Sequence, residues 1–349
     1  MKHWQLRLIS SLLLTALLVA CGGEQGDNNT STEANNRLAL IKQRGKVICG
    51  INGEVPGFSF VNENGEYTGL DVDICRAVAA ALFDDPTKVE FRKLSAQERF
   101  TALQTGEVDL LSRNTTMTLN RDTIVGLDFG PTVFFDGQGI MVTQASNIEQ
   151  LNDLSGKSIC VLSGTTSEQN LTDTMRQANV TEYIPVVSDD VDALYAAYQQ
   201  GRCEAVTADR SQLVSRRSLF PDSNAHKILD KVISKEPLSP AVASGDSAWS
   251  DVIRWITYSL MQAEEFGINS ENLATFDDTQ NPNIRRFLGM DEKLGEDMGL
   301  PNQFTTQVIK HVGNYGEIYE RNIGKPLGLE RGQNNLWTQG GLLYSPPFR

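Results

Sequence analysis

RGKVICGIN at residues 44–52 and SGKSICVLS at residues 155–163 share the order Gly-Lys-x-Ile-Cys. Each opens a β-branched, apolar run of the kind that forms a buried strand. A second pair follows in the same order, ALQTGEVDLL (102–111) and AYQQGRCEAV (197–206). Both read as the end of a helix, a glycine in the C-terminal capping position, and a short strand opening on an acidic residue. The helix leading into the first carries Ser95-Ala96-Gln97-Glu98, a capping-box spacing, with Phe100 and Leu103 on one face. The helix leading into the second sets Val191, Leu194, Tyr195 and Tyr198 at i, i+3, i+4 and i+7. Two matches in one order predict two similar α/β lobes.

Alternation of strand and helix predicts mainly parallel sheets, whose ligands bind beyond the carboxyl ends of the strands. LLSRNTT (110–116) lies at such an end in the first lobe. VLSGTTSEQN (161–170) and VTADRS (206–211) hold the corresponding places in the second, so the three stretches are expected to face one another across a cleft. The first of them is dense in donors: Ser112, Arg113, Asn114, Thr115, Thr116, Thr118 and Arg121 fall within ten positions. Glycine, proline and asparagine would have sufficed for a turn.

The N-terminus predicts export. A basic start (Lys2, Arg7) precedes an apolar run from Leu8 to Ala20, too short to span a bilayer comfortably and suited to a signal peptide. Leu18-Val19-Ala20-Cys21 resembles a bacterial lipobox, so residues 1–21 are read as a lipoprotein signal with Cys21 lipidated as the new N-terminus. GGEQGDNNTSTEANN follows, and residues 22–37 have the polar composition of a flexible tether. The formal charge of −13, more negative still once Lys2 and Arg7 are removed, argues against nucleic acid and anionic membrane surfaces as partners. Four cysteines remain, Cys49, Cys75, Cys160 and Cys203, an even number that points to disulfides in an exported chain. Pairing within each lobe, Cys49–Cys75 and Cys160–Cys203, avoids a crosslink that would freeze the lobes together. The alternative is four reduced, buried thiols.

The motifs NGEYTGLDVDICRAVAAAL (64–82), RFTALQTGEVDLLSRNTTMTLNRDTIVGLDFG (99–130), LNDLSGKSICVLSGTTSEQNL (151–171) and GRCEAVTADRSQL (201–213) together resemble the family-3 solute-binding proteins of amino-acid ABC transporters. DGQGIMV (136–142) and the closing NNLWTQGGLLYSPPFR (334–349) are similar to the general L-amino-acid-binding branch. The resemblance implies the two-lobed periplasmic-binding-protein fold of type II: an α/β protein with two crossing hinge strands and the ligand in the interlobe cleft. The crossings would be 137–143 and 232–242. Lobe 1 would comprise 38–138 plus 237–349, and lobe 2 would comprise 139–236.

The same resemblance implies the site. Arg121 matches the arginine that grips the ligand α-carboxylate, a task suited to two parallel charge-assisted hydrogen bonds. Thr116 and Thr166 match donors to that carboxylate, and Asn114 matches a contact to the α-ammonium. Asp209 matches the acid that accepts the ammonium, which would be costly to bury unpaired. Thr165-x-x-Glu168 and Thr166-x-x-Gln169 are capping-box spacings, so free amides at this helix start are also expected to meet an anion. Arg113 stands where many relatives carry serine, and Arg99 where smaller ones carry an apolar residue; each would add positive charge to the pocket or pair with a neighbouring carboxylate. Phe58 or Phe60 is expected to cover the ligand, with a core role as the alternative.

The function implied is capture of L-amino acids outside the cytoplasm, broad in range with polar or acidic ones favoured, and delivery to the permease and ATPase of an ABC importer. The protein would be a monomer in the periplasm or at the outer face of the cytoplasmic membrane, lipid-anchored, with no cofactor and no metal. An enzyme acting on a small carboxylic acid, or a sensor for a separate signalling partner, are the competing classes. The sequence has no H-E-x-x-H or G-x-S-x-G, and His226 and His311 lie outside the cleft motifs.

Overall fold

A computed structural model describes residues 36–349. The signal peptide, Cys21 and all but the end of the tether lie outside the described residues. That end is already structured: Asn36 caps the helix Arg37–Arg44, its side chain accepting from Ala39 N at 3.0 Å.

Two five-stranded sheets repeat one plan. In the first, Val89–Lys93, Val47–Ile51 and Leu110–Leu111 run parallel, followed by Ala241–Ala243, antiparallel to its neighbours, and Leu127–Phe129. In the second, Ile184–Ser188, Ser158–Leu162 and Ala205–Asp209 are parallel, followed by the antiparallel Gln138–Thr143 and then His226–Ile228. The repeated Gly-Lys-x-Ile-Cys segments are the second strand of each sheet. Their glycines, Gly45 and Gly156, both take φ of 73°, a left-handed turn that a side chain would disfavour. The acid before each short strand reaches back to the start of the central one, Asp109 accepting from Ile48 N at 2.7 Å and Glu204 from Ser158 N at 3.2 Å.

The fourth strand of each sheet is a strand that has crossed from the other lobe. Between the lobes Phe134–Asp136 pairs antiparallel with Glu236–Leu238, with Glu236 opposite Asp136. The crossing therefore lies earlier than the expected 137–143: Gln138–Thr143 is fully a strand of the second sheet, since its ladder with Ala205–Asp209 begins at once. The return falls inside the expected 232–242.

Both disulfides close within a sheet and its helices, Cys49–Cys75 with Cα atoms 6.2 Å apart and Cys160–Cys203 with 5.7 Å. The long C-terminal region pads the first lobe. Phe304, Val308, Tyr315, Ile318 and Tyr319 share one core with Ile41, Val47 and Trp249. Tyr315 Oη donates to Val133 O at 2.7 Å, and Asn334 Oδ1 accepts from Phe135 N at 2.7 Å, tying the region to the start of the hinge.

Candidate functional site

The loop after Leu110–Leu111 is shaped by a buried carboxylate. Asp71, in the first turn of the helix Leu70–Phe83, accepts from Ser112 Oγ at 3.1 Å and from Asn114 N at 2.8 Å. Burial pushes this carboxyl up to about 7, against the lowering effect of those hydrogen bonds and of Arg113. Held this way, Asn114 takes φ of 36°, and the chain turns Arg113, Asn114 and Thr116 towards the second lobe. Thr118 then caps the short helix Leu119–Thr123 by accepting from Arg121 N at 3.2 Å. Arg121 Nη1 donates to Thr116 O at 2.7 Å, and its guanidinium lies 5.1 Å from the centre of the Phe100 ring. Arg99 opens the helix Arg99–Gln104, sits 4.6 Å from the same ring, and donates from Nη2 to Gly164 O of the second lobe at 3.2 Å. Phe100 thus supports two cations, which attract a ring face. Arg113 Nε donates to Leu94 O at 2.8 Å.

From the second lobe, the strand Ser158–Leu162 leads to Thr165, whose Oγ1 caps the helix Thr166–Gln177 through Glu168 N at 3.3 Å. Of the two capping spacings this one forms, although the Glu168 side chain accepts from Gly164 N rather than from Thr165 N. The amides of Thr166 and Ser167 are left over by helix geometry. Asp209 ends the strand Ala205–Asp209 at the same edge.

These elements enclose one polar cavity between the lobes. Arg99, Arg113, Asn114, Thr116 and Arg121 line it from the first lobe, and Thr165, Thr166 and Asp209 from the second. All eight polar residues singled out in the sequence are brought together. The two phenylalanines are not. Phe58 is buried edge-on against Phe134, ring centres 5.2 Å apart, in the core behind the hinge. Phe60 is a half-buried residue of the strand Ser59–Val61. The turn at Gly57, φ 83°, feeds Phe58 inward, and the residue this region gives to the cavity is Asn52. Ser167, Thr207 and Gln212 also line it, and no sequence signal separated them from ordinary helix and strand positions.

The electrostatics are divided by lobe. Among the described residues none of Arg99, Arg113 and Arg121 forms an ion pair, and all three line the cavity, although Asp71 and Glu54 lie close enough to favour the charged form of Arg113. Burial lowers all three from the ordinary guanidinium range, Arg113 to about 10, and the mutual repulsion of the cations adds to this at Arg99 and Arg113. Asp209 is 6 % exposed and accepts no side-chain hydrogen bond among the described residues. Its carboxyl is raised well above the usual range by burial, then by Asp136 and Glu236. Asp136 is itself raised to about 6, chiefly by burial. A basic wall thus meets an acidic one, a field suited to a small zwitterion. The described residues hold no cluster of metal-ligating side chains.

The lobes are closed on each other. Gln97 Nε2 donates to Ser163 Oγ at 2.7 Å, Arg216 Nη1 to Glu54 O at 2.7 Å, and Ser215 Oγ to Pro56 O at 2.7 Å.

A family profile for bacterial extracellular solute-binding proteins, family 3, matches residues 47–271. The general L-amino acid-binding periplasmic protein AapJ of Rhizobium johnstonii is 49% identical over 91% of this chain and 94% of its own length. The glutamate/glutamine/aspartate/asparagine-binding protein BztA of Rhodobacter capsulatus is 46% identical over 88% of this chain and 92% of its own. Among solved structures, an ABC transporter periplasmic binding protein from Brucella ovis with glutathione bound superposes with a TM-score of 0.87. It is 48% identical, and the match covers 89% of this chain and 99% of that one.

Proposed function

The chain belongs to family 3 of the bacterial extracellular solute-binding proteins, and from that premise we propose that it captures L-amino acids in the periplasm and delivers them to an ABC importer. The observation that carries the reading is the division of charge across the cavity, Arg99, Arg113 and Arg121 on one wall and Asp209 on the other. Arg121 takes the α-carboxylate in a two-pronged hydrogen bond, and Asp209 takes the α-ammonium. A ligand held by both lobes makes contacts that an open form cannot offer, so binding shifts the population towards the closed form. The names of the relatives support amino acids as the ligand class, and the surplus of arginines supports preference for polar and acidic ones.

The binding is capture without turnover, by a monomer that meets the permease and ATPase subunits of its importer. Cys21 carries the lipid that anchors it. A thermal-shift screen against the twenty amino acids tests the reading, because a ligand that binds only the folded form raises its apparent stability. A chain that responds to none of them, with calorimetry equally silent, would remove amino acids from the account.

A further inference from the structure

Glu236 lies on the return hinge strand, is 1 % exposed, and stands behind the cavity rather than in its wall. One oxygen of its carboxylate, Oε2, accepts from Thr116 Oγ1 of the first lobe at 2.6 Å and from Thr166 Oγ1 of the second at 2.8 Å. The other, Oε1, accepts from Asn170 Nδ2 at 2.8 Å and from Ser234 Oγ. Both threonines line the cavity, their hydroxyl oxygens 3.5 Å apart.

A hydroxyl has one proton to give and two lone pairs to receive with. An ionised carboxylate only accepts, and a hydrogen bond to it is stronger than one between neutral groups. Thr116 and Thr166 therefore spend their single protons on Glu236, and what each hydroxyl turns to the cavity is a lone pair. This differs from the role expected for them, donation to the ligand carboxylate. That anion is left to Arg121 and to amides such as those of Thr166 and Ser167 at the helix start.

We infer that Glu236 is a specificity-determining residue, acting through Thr116 and Thr166. It fixes both hydroxyls as acceptors, so that in addition to Asp209 the cavity presents two acceptors to a protonated amine, which an acid lacking the amine leaves unmatched. The inference rests on the amino-acid reading above and deepens it: the ligand class is α-ammonium acids, and their deaminated counterparts are rejected. Glu236 is a positioning residue in this scheme, since it touches the threonines and not the ligand.

The test uses L-glutamate and glutarate, which differ only in the α-ammonium, measured by calorimetry and by displacement on the full exported chain. Whether the wild type binds L-glutamate is a question about the reading above; the ratio of the two dissociation constants is the question about Glu236. Glu236→Met keeps the length of the side chain and removes the acceptor, freeing both hydroxyl protons. The expected result is a glutarate-to-glutamate Kd ratio at least about tenfold smaller than in the wild type, the worth of one or two hydrogen bonds to a charged group. Glu236→Asp keeps the charge but withdraws it by one methylene, and the ratio is expected to narrow there too. An unchanged ratio in Glu236→Met overturns the inference. So does a ratio lost in Glu236→Met but kept whole in Glu236→Asp, because the residue would then act by charge alone.

Discussion

Arg121 and Asp209 line one cavity from opposite lobes, and neither has an ion-pair partner among the described residues. A buried charge left unpaired is costly, so a site with one of each sign is built to be completed by something carrying both. Replacing Arg121 by alanine should therefore abolish binding while sparing the fold. Losing a two-pronged charged hydrogen bond is worth about 3 kcal/mol or more, a Kd increase on the order of 100-fold. The thermal midpoint of the ligand-free protein should hardly move, because the deletion removes a desolvated cation whose contacts, one hydrogen bond to Thr116 O and the face of the Phe100 ring, only partly offset its burial. Calorimetry and a melting curve on one sample check both halves, and retained affinity would remove Arg121 from the site.

The raised Asp209 carboxyl gives binding a pH dependence of definite sign. In the free protein it keeps its proton to a higher pH than an ordinary aspartate, chiefly because it is buried. An ammonium beside it favours the ionised form, so ligand binding expels that proton. Affinity should climb as pH rises towards the free-protein value of Asp209 and level off above it. Calorimetry in two buffers of different ionisation enthalpy should register proton release on the acidic side. Asp209→Asn should abolish both the release and the slope, and weaken binding at neutral pH by on the order of 100-fold.

What the sequence disclosed and what it hid divide along a physical line. The repeated Gly-Lys-x-Ile-Cys strands and the Asp109 and Glu204 turns are local, each written within about ten residues, and they carried the two-sheet plan. The cavity-lining arginines, Asn114 and the threonines were legible because loops at strand ends must face the cleft. Phe58 was not, since its destination depends on Phe134, seventy-odd positions away in chain and adjacent only in the folded core. Glu236 was hidden for the same reason, its threonine partners lying 120 and 70 positions away. The hinge was displaced because nothing in 134–143 marks where pairing changes from Glu236–Leu238 to Ala205–Asp209.

Arg113 and Arg99 should set ligand charge preference rather than amino-acid binding as such. Among the described residues Arg113 has one protein acceptor, Leu94 O, on Nε, and that leaves the outer nitrogens to the cavity. Arg113→Leu is expected to weaken binding of L-glutamate or L-aspartate about tenfold, while L-glutamine or L-asparagine changes by less than about threefold. Displacement titrations with the four ligands measure it. Equal losses across all four would mean that Arg113 supports the loop and does not read charge.

The disulfides should contribute comparably to stability despite their different spans. Cys49–Cys75 closes 26 residues within the first lobe and Cys160–Cys203 closes 43 within the second. Loop-closure entropy grows only with the logarithm of length, so the two are expected to differ by about 0.4 kcal/mol, each removal costing about 2–5 kcal/mol. Because neither joins the lobes, reduction should lower the denaturation midpoint without altering closure. The double replacements Cys49→Ser/Cys75→Ser and Cys160→Ser/Cys203→Ser, unfolded in urea alongside the wild type, give the two costs. The amino-acid Kd measured below the transition, in conditions where each variant is folded, should stay within about threefold of the wild type, since no cysteine lines the cavity.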